Sequence, residues 1–125
     1  MDRLYVSDLD GTLLGSDGRL GDRSAAILAA LLQNGLPFTV STARSPVSVR
    51  MVGLEQLSLP LPVSLLNGAM LYDLTHDRVV DTVPLPCTDT LIALCEAAAL
   101  APRVFRAEAG RLTIDCTPPK TPEER

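Results

Sequence analysis

Two carboxylates, Asp8 and Asp10, stand two residues apart in the run Asp8-Leu9-Asp10-Gly11-Thr12-Leu13-Leu14. At the exit of a strand that spacing sends both side chains the same way. Neighbouring carboxylates repel each other and repel a phosphate. They work together only around a divalent cation, and Mg2+ is the ion that prefers carboxylate and phosphate oxygens. Gly11 allows a sharp turn and brings its backbone N–H close to a bound anion. The same residues also read as a polar turn with no chemistry. A calcium loop counted from Asp8 fails, because its sixth position is Leu13 rather than Gly and its twelfth is Arg19 rather than Glu. Neither a G-x-G-x-x-G fingerprint nor a Walker P-loop is present.

A second candidate is Val40-Ser41-Thr42-Ala43-Arg44. Thr42 offers a hydroxyl donor, the N–H groups of Ala43 and Arg44 precede a helix expected to start at Ser45, and Arg44 adds charge. Free donors at a helix start make an anion site. Equally, Thr42 could simply end a strand and Arg44 sit on the surface. The third is Asn67-Gly68-Ala69. Asn-Gly between apolar segments is a strong signal for a type I′ hairpin turn, and it also places Asn67 at the end of a third strand, lining the same crevice. His76, the single histidine, falls in a polar turn and reads as solvated.

The elements that must carry these tips follow from punctuation and periodicity. Arg3–Ser7 reads as a strand. Ile27, Leu28, Leu31 and Leu32 repeat at helical spacing over Arg23–Asn34, with Asp22 or Ser24 as cap and Gly35 as stop. Leu36–Ser41 suits a buried strand. Ser45-Pro46 looks like an N-cap followed by proline at the first helical position, opening a helix over Val47–Leu57 with Val47, Met51 and Leu54 on one face. Val63–Leu66 is a third short strand. Met70–Tyr72 and Arg78–Val83 flank Thr75-His76-Asp77 as a hairpin. Strand–helix–strand–helix–strand with short loops implies an α/β fold: a Rossmann-like parallel sheet with flanking helices, reached by right-handed crossovers. Ligands of such sheets sit at the carboxyl ends of the strands. After Pro84-Leu85-Pro86, Thr88–Leu100 reads as a helix with Leu91, Leu94, Cys95 and Ala98 on one side. Val104–Arg106 and Leu112–Ile114 read as strands around Glu108–Gly110, and Thr117–Arg125 as a proline-rich tail.

Together the three tips resemble the haloacid dehalogenase-like hydrolase superfamily, and within it the Cof-type phosphatases with a large α/β cap. Asp8–Leu14 matches the first motif, D-x-D-G-T-L-L. Thr42-Ala43-Arg44 is similar to the T-G-R of the second, with Ala43 where Gly is usual, and Asn67-Gly68-Ala69 matches the N-G-A after the third strand. The resemblance implies residues 1–84 as the N-terminal part of an incomplete core, 85–116 as the start of the cap and 117–125 as a tail. It implies Mg2+-dependent hydrolysis of a phosphomonoester, with a small sugar-phosphate-type metabolite as partner. Asp8 would be the nucleophile, forming an aspartyl-phosphate. Asp10 would protonate the leaving oxygen and then activate water. Asp8 and the Asp10 carbonyl would hold Mg2+. Phosphoryl oxygens would be bound among Leu9, Gly11, Thr12, Thr42, Ala43, Arg44 and Asn67.

Two further motifs of that family have no match. The single lysine, Lys120, stands between Pro119 and Thr121-Pro122, a context unlike a helix interior. None of the acids after Val83 lies in a Gly-Asp context. The chain is therefore expected to be the first half of a longer enzyme, weak or inactive alone. Its alternative is a non-catalytic module that binds phosphate and Mg2+ or self-associates through an open sheet edge. A phospho-acceptor receiver domain would want its Asp where Leu66-Asn67 stands.

Composition narrows the rest. The 125 residues are 46% hydrophobic and 21% charged, which suits one folded domain and argues against disorder. A net charge of −4 with no basic run argues against nucleic acid and anionic membranes. The longest clean apolar run, Ala25–Leu32, is far short of the ~20 residues that cross a bilayer. Asp2, Asp8 and Asp10 contradict a secretory signal. Cys87, Cys95 and Cys116 are odd in number and contain no C-x-x-C, so they imply neither a disulfide framework nor a zinc site. A cytoplasmic protein, with homo-oligomers possible, is expected.

Overall fold

A computed structural model describes residues 3–116. The tail expected at Thr117–Arg125, with Lys120, lies outside the described residues. The chain divides after Val83 into two units.

The first unit holds β1 (Tyr5–Ser7), α1 (Asp22–Gln33), β2 (Phe38–Val40), α2 (Pro46–Arg50), β3 (Val63–Leu65), β4 (Met70–Asp73) and β5 (Arg78–Thr82). β1 and β2 pair in parallel, Ser7 opposite Val40. β3 joins β2 through one parallel bridge, Ser41 to Ser64, and pairs antiparallel with β4, which pairs antiparallel with β5. β2 is buried along its whole length, as expected of a strand with neighbours on both sides. Its Thr39 satisfies a buried hydroxyl by donating to the Pro62 carbonyl at 2.6 Å. Leu9, Val40, Val49, Leu54, Val63 and Leu65 form the driest part of the core. The alternation of strand and helix matches the α/β expectation.

Helix α1 ends as its sequence suggests. Gly35 takes φ +82°, its N–H donates to Leu32 at 2.9 Å, and the Leu36 N–H donates to Leu31 at 3.0 Å. That is the paired bonding of a Schellman stop. The start differs from expectation: the cap is Gly21, without a side-chain bond, and Asp22 lies in the first turn. A carboxylate there still complements the helix dipole.

The helix expected over Val47–Leu57 is cut to α2 and a separate 3-10 turn at Leu54–Gln56. Gly53 adopts φ +92°, and the Val52 carbonyl is taken by the Leu20 N–H at 2.8 Å rather than by a helical partner. The predicted face holds only at Leu54, which is buried: Val47 and Met51 are exposed, and Val49 and Val52 are buried in their place. Gly53→Ala is expected to cost about 1–2 kcal/mol, since a Cβ at positive φ is strained. It would stand 3.8 Å from the Leu20 Cβ, while its 3.0 Å approach to the Gln56 amide is relieved by moving a flexible side chain. Urea denaturation reads this loss.

The Asn-Gly turn forms as its hairpin reading expects. Asn67 and Gly68 take φ +56° and +90°, and the Ala69 N–H donates to Leu66 at 3.2 Å, the type I′ signature. The second unit contains α3 (Thr88–Ala97), β6 (Arg103–Glu108) and β7 (Arg111–Cys116). Its strands are longer than expected, because Ala109 and Gly110 alone make the hairpin turn, with φ +48° and +77°. None of its described residues is buried. Cys87 is exposed and Cys95 half-buried, both as free thiols. No described helix is long and apolar enough to cross a membrane.

Candidate active site

Parallel pairing sets the site. The Ser41 N–H donates to the Ser7 carbonyl at 2.9 Å and the Thr42 N–H to the Ser64 carbonyl at 3.0 Å. The carboxyl ends of β1, β2 and β3 therefore finish at one level. Thr42, Arg44 and the Asn67 turn are stitched there: the Asn67 N–H donates to Thr42 at 3.1 Å and the Leu66 N–H to Arg44 at 3.2 Å. So the third tip meets the second through backbone, while the Asn67 side chain stays exposed.

Strand β1 ends at Ser7, so Asp8 and Asp10 lie in the turn beyond it rather than in strand register. The in-and-out alternation survives by another route. Leu9 is fully buried between two exposed carboxylates. Asp10 remains extended at φ −68°, ψ 124°, and Gly11 reverses the chain at φ +74°. The Leu14 N–H closes the turn on the Leu9 carbonyl at 2.9 Å. No Cβ clash guards Gly11; its backbone conformation does. Thr12 is exposed.

The two carboxylates have different partners. The Leu9 N–H donates to Asp8 Oδ1 at 2.8 Å. Asp10 is gripped by Arg44 with two bonds, Nε to Oδ2 at 2.8 Å and Nη2 to Oδ1 at 2.7 Å. This is the fork geometry that suits guanidinium to a two-oxygen anion. The hydrogen bond from Arg44 holds the Asp10 carboxyl below its ordinary value. Asp10 raises the Arg44 guanidinium in turn. The Arg44 N–H donates to Thr42 Oγ1 at 3.2 Å. Thr42 is almost wholly buried, and a hydroxyl that accepts one bond still has its own proton to give.

Helix α2 adds less than expected to an anion site. Ser45 does cap it, its Oγ accepting from the Ser48 N–H at 3.3 Å, with Pro46 at the first position. A five-residue helix sums few peptide dipoles, so attraction for an anion falls to Arg44, Thr42 and the loop N–H groups. A residue not anticipated from sequence completes this corner. Ser48 takes Arg44 Nη1 on its Oγ at 3.0 Å and on its carbonyl at 3.4 Å. Its signal was the four-residue spacing from Arg44, which gains meaning only with the direction that the Arg44 side chain takes.

Asp8 and Asp10 provide hard oxygen ligands of the type Mg2+ takes, and Mg2+ commonly keeps several waters beside one or two carboxylates. The donor set fits that ion in kind. No group of three or more His, Cys, Asp or Glu gathers among the described residues.

His76 is exposed, as anticipated, and serves its own turn: its Nδ1 lies 2.7 Å from Asp73 Oδ2. Asp73 also accepts from the Thr75 and His76 N–H groups at 3.0 and 3.1 Å. The bond to the His76 ring leads in lowering Asp73 to about 2 from 3.8. A lowered carboxyl contributes stability that is present above 3.8 and is lost as pH falls toward 2. Titration followed by carboxyl NMR is expected to show hairpin protection declining in that window, with Asp73→Asn removing the dependence.

A family model described as haloacid dehalogenase-like hydrolase matches residues 5–108. A Mycoplasma genitalium protein named as a putative phosphatase is 31% identical over 80 residues, 64% of this chain and 28% of that protein. A haloacid dehalogenase-like hydrolase from B. subtilis superposes with a TM-score of 0.68 at 22% identity, over 84% of this chain and 38% of its own. A sugar phosphatase of HAD subclass IIB superposes with a TM-score of 0.61 at 20% identity, over 90% and 43%. The chain thus spans less than half the length of each of these proteins.

Proposed function

Because the chain belongs to the haloacid dehalogenase-like hydrolase family, we propose that it carries the nucleophile and the acid/base of a phosphomonoester hydrolase. One observation supports this above the others: two exposed carboxylates flank the buried Leu9 at the tip of β1, beside the cationic fork of Arg44. An Asp8 oxygen attacks phosphorus as the bond to the leaving oxygen breaks, giving an aspartyl-phosphate. Asp10, loaded with a proton from solvent, gives that proton to the leaving oxygen, then takes one from the water that attacks phosphorus and frees phosphate. Asp10 must release Arg44 to do so. Thr42 and the Ala43 N–H donate to phosphoryl oxygens, with Leu9, Gly11 and Thr12 contributing backbone. When bound by Asp8 and the Asp10 carbonyl, Mg2+ supplies charge neutralisation between carboxylate and phosphate.

The substrate class is a small phosphorylated metabolite, of sugar-phosphate type. A shared fold with a named sugar phosphatase supports it. Residues from Pro84 onward would begin a cap that selects the leaving group.

The test incubates the chain with Mg2+ and para-nitrophenyl phosphate and maps any covalent phosphate by mass spectrometry. A phosphate adduct on Asp8 supports the reading. Phosphate binding with no adduct supports a non-catalytic module instead.

A further inference from the structure

Arg44 has five N–H donors in a rigid plane, and the structure divides them between two anchors. Nε and Nη2 form one edge, engaged with both oxygens of Asp10. Nη1 lies on the other side, engaged with the Ser48 hydroxyl and carbonyl. The Ser48 backbone is itself fixed, because its N–H donates to the Ser45 cap and its carbonyl accepts from Met51 at 3.3 Å. The Arg44 backbone is tied to Thr42 on one side and Leu66 on the other. Both ends of a long, flexible cation are therefore held, and a single edge is left to meet a ligand. That edge spans two oxygens, the bite of a carboxylate and equally of a phosphoryl group. Arg44 keeps a quarter of its side chain exposed and Asp10 more than half, so an anion can reach the pair.

We propose that Ser48 is a positioning residue that aims the Nε–Nη2 edge of Arg44 as an anion fork, occupied here by the Asp10 carboxylate and by a phosphoryl group when phosphate binds. The inference rests on the phosphate-handling reading above. The exchange frees Asp10 from its partner at the moment the phosphoryl group arrives. Without Ser48 the guanidinium turns about its stem, and fork geometry decays to a point charge like that of lysine.

The test titrates the full chain with inorganic phosphate in the presence of Mg2+ by calorimetry, while 15N NMR follows Arg44 Nε. Ser48→Ala is expected to weaken phosphate about five- to tenfold, the effect of losing one bond to a charged group in a part-exposed setting. Ser48→Thr, which restores a hydroxyl, recovers wild-type binding. On an Arg44→Lys background, Ser48→Ala costs nothing further, because lysine has no edge to aim. Ser48→Cys gives the same comparison if the alanine variant does not fold. Phosphate is expected to shift the wild-type Arg44 Nε signal. Unchanged affinity in Ser48→Ala, additive losses in the double variant, or an unmoved Nε signal overturns the proposal, as does a wild-type chain that binds no phosphate. Binding that behaves as expected while no adduct forms on Asp8 leaves the fork intact and defeats only the hydrolase reading.

Discussion

Asp8→Asn is expected to abolish covalent phosphate capture, lowering adduct formation by at least ~10³-fold, in the range seen when a nucleophile is removed. The substitution is nearly isosteric. The Asn Oδ1 can still accept from the Leu9 N–H at the position now held by the carboxylate, so the turn survives. What is lost is the anionic oxygen that must form the bond to phosphorus. Asp10→Asn provides the contrast. Para-nitrophenolate leaves without needing a proton, so the first step persists. Water attack then lacks its base, and the adduct accumulates rather than vanishing. General acid–base groups contribute roughly 10²–10⁴-fold, so release is expected to slow by that order. Mass spectrometry separates the cases, with no adduct for Asp8→Asn and a longer-lived one for Asp10→Asn. If both variants lose the adduct equally, the assignment of separate roles is wrong.

Local chemistry was the part of the fold legible in the sequence. Gly35 stopped α1 and Ser45-Pro46 opened α2, because caps and stops act within a few residues. Asn67-Gly68 fixed its turn for the same reason. The errors lie where distant residues decide. Helix α2 ends early where Gly53 turns to φ +92° and the Leu20 N–H takes the Val52 carbonyl, and no window of sequence contains Leu20 and Val52 in a readable pattern. Once the helix stopped, its phase stopped, and Val49 and Val52 went inward in place of Val47 and Met51. The site divides the same way. Asp8 and Asp10 stood out as carboxylates two apart before a glycine, although the same run also reads as a polar turn. Their different partners did not, since Arg44 lies 34 residues from Asp10. Ser48 escaped notice because a serine on a short helix is common, and only the reach of Arg44 gives it a task.

Leu9→Ala is expected to destabilise the first unit by about 2–5 kcal/mol, the range for truncating a buried leucine. Against a typical total of about 5–15 kcal/mol, that is a large share, and every buried side chain of the described residues belongs to this unit. The more telling consequence is chemical. Leu9 is the anchor between the two carboxylates: its side chain is in the core, its N–H holds Asp8, and its carbonyl closes the turn with Leu14. Leu54→Ala is the control, since Leu54 is equally buried but lies in the turn after Gly53. Both variants are expected to lose comparable stability in urea. Measured well below their melting temperatures, where both remain folded, Leu54→Ala should keep wild-type phosphate capture, whereas Leu9→Ala should lose about tenfold or more, because misplacing a reacting group by about 1 Å costs on the order of 10²-fold. Equal capture by the two would mean that Gly11 and the Arg44 fork hold the carboxylates without the leucine, and that Leu9 serves the core alone.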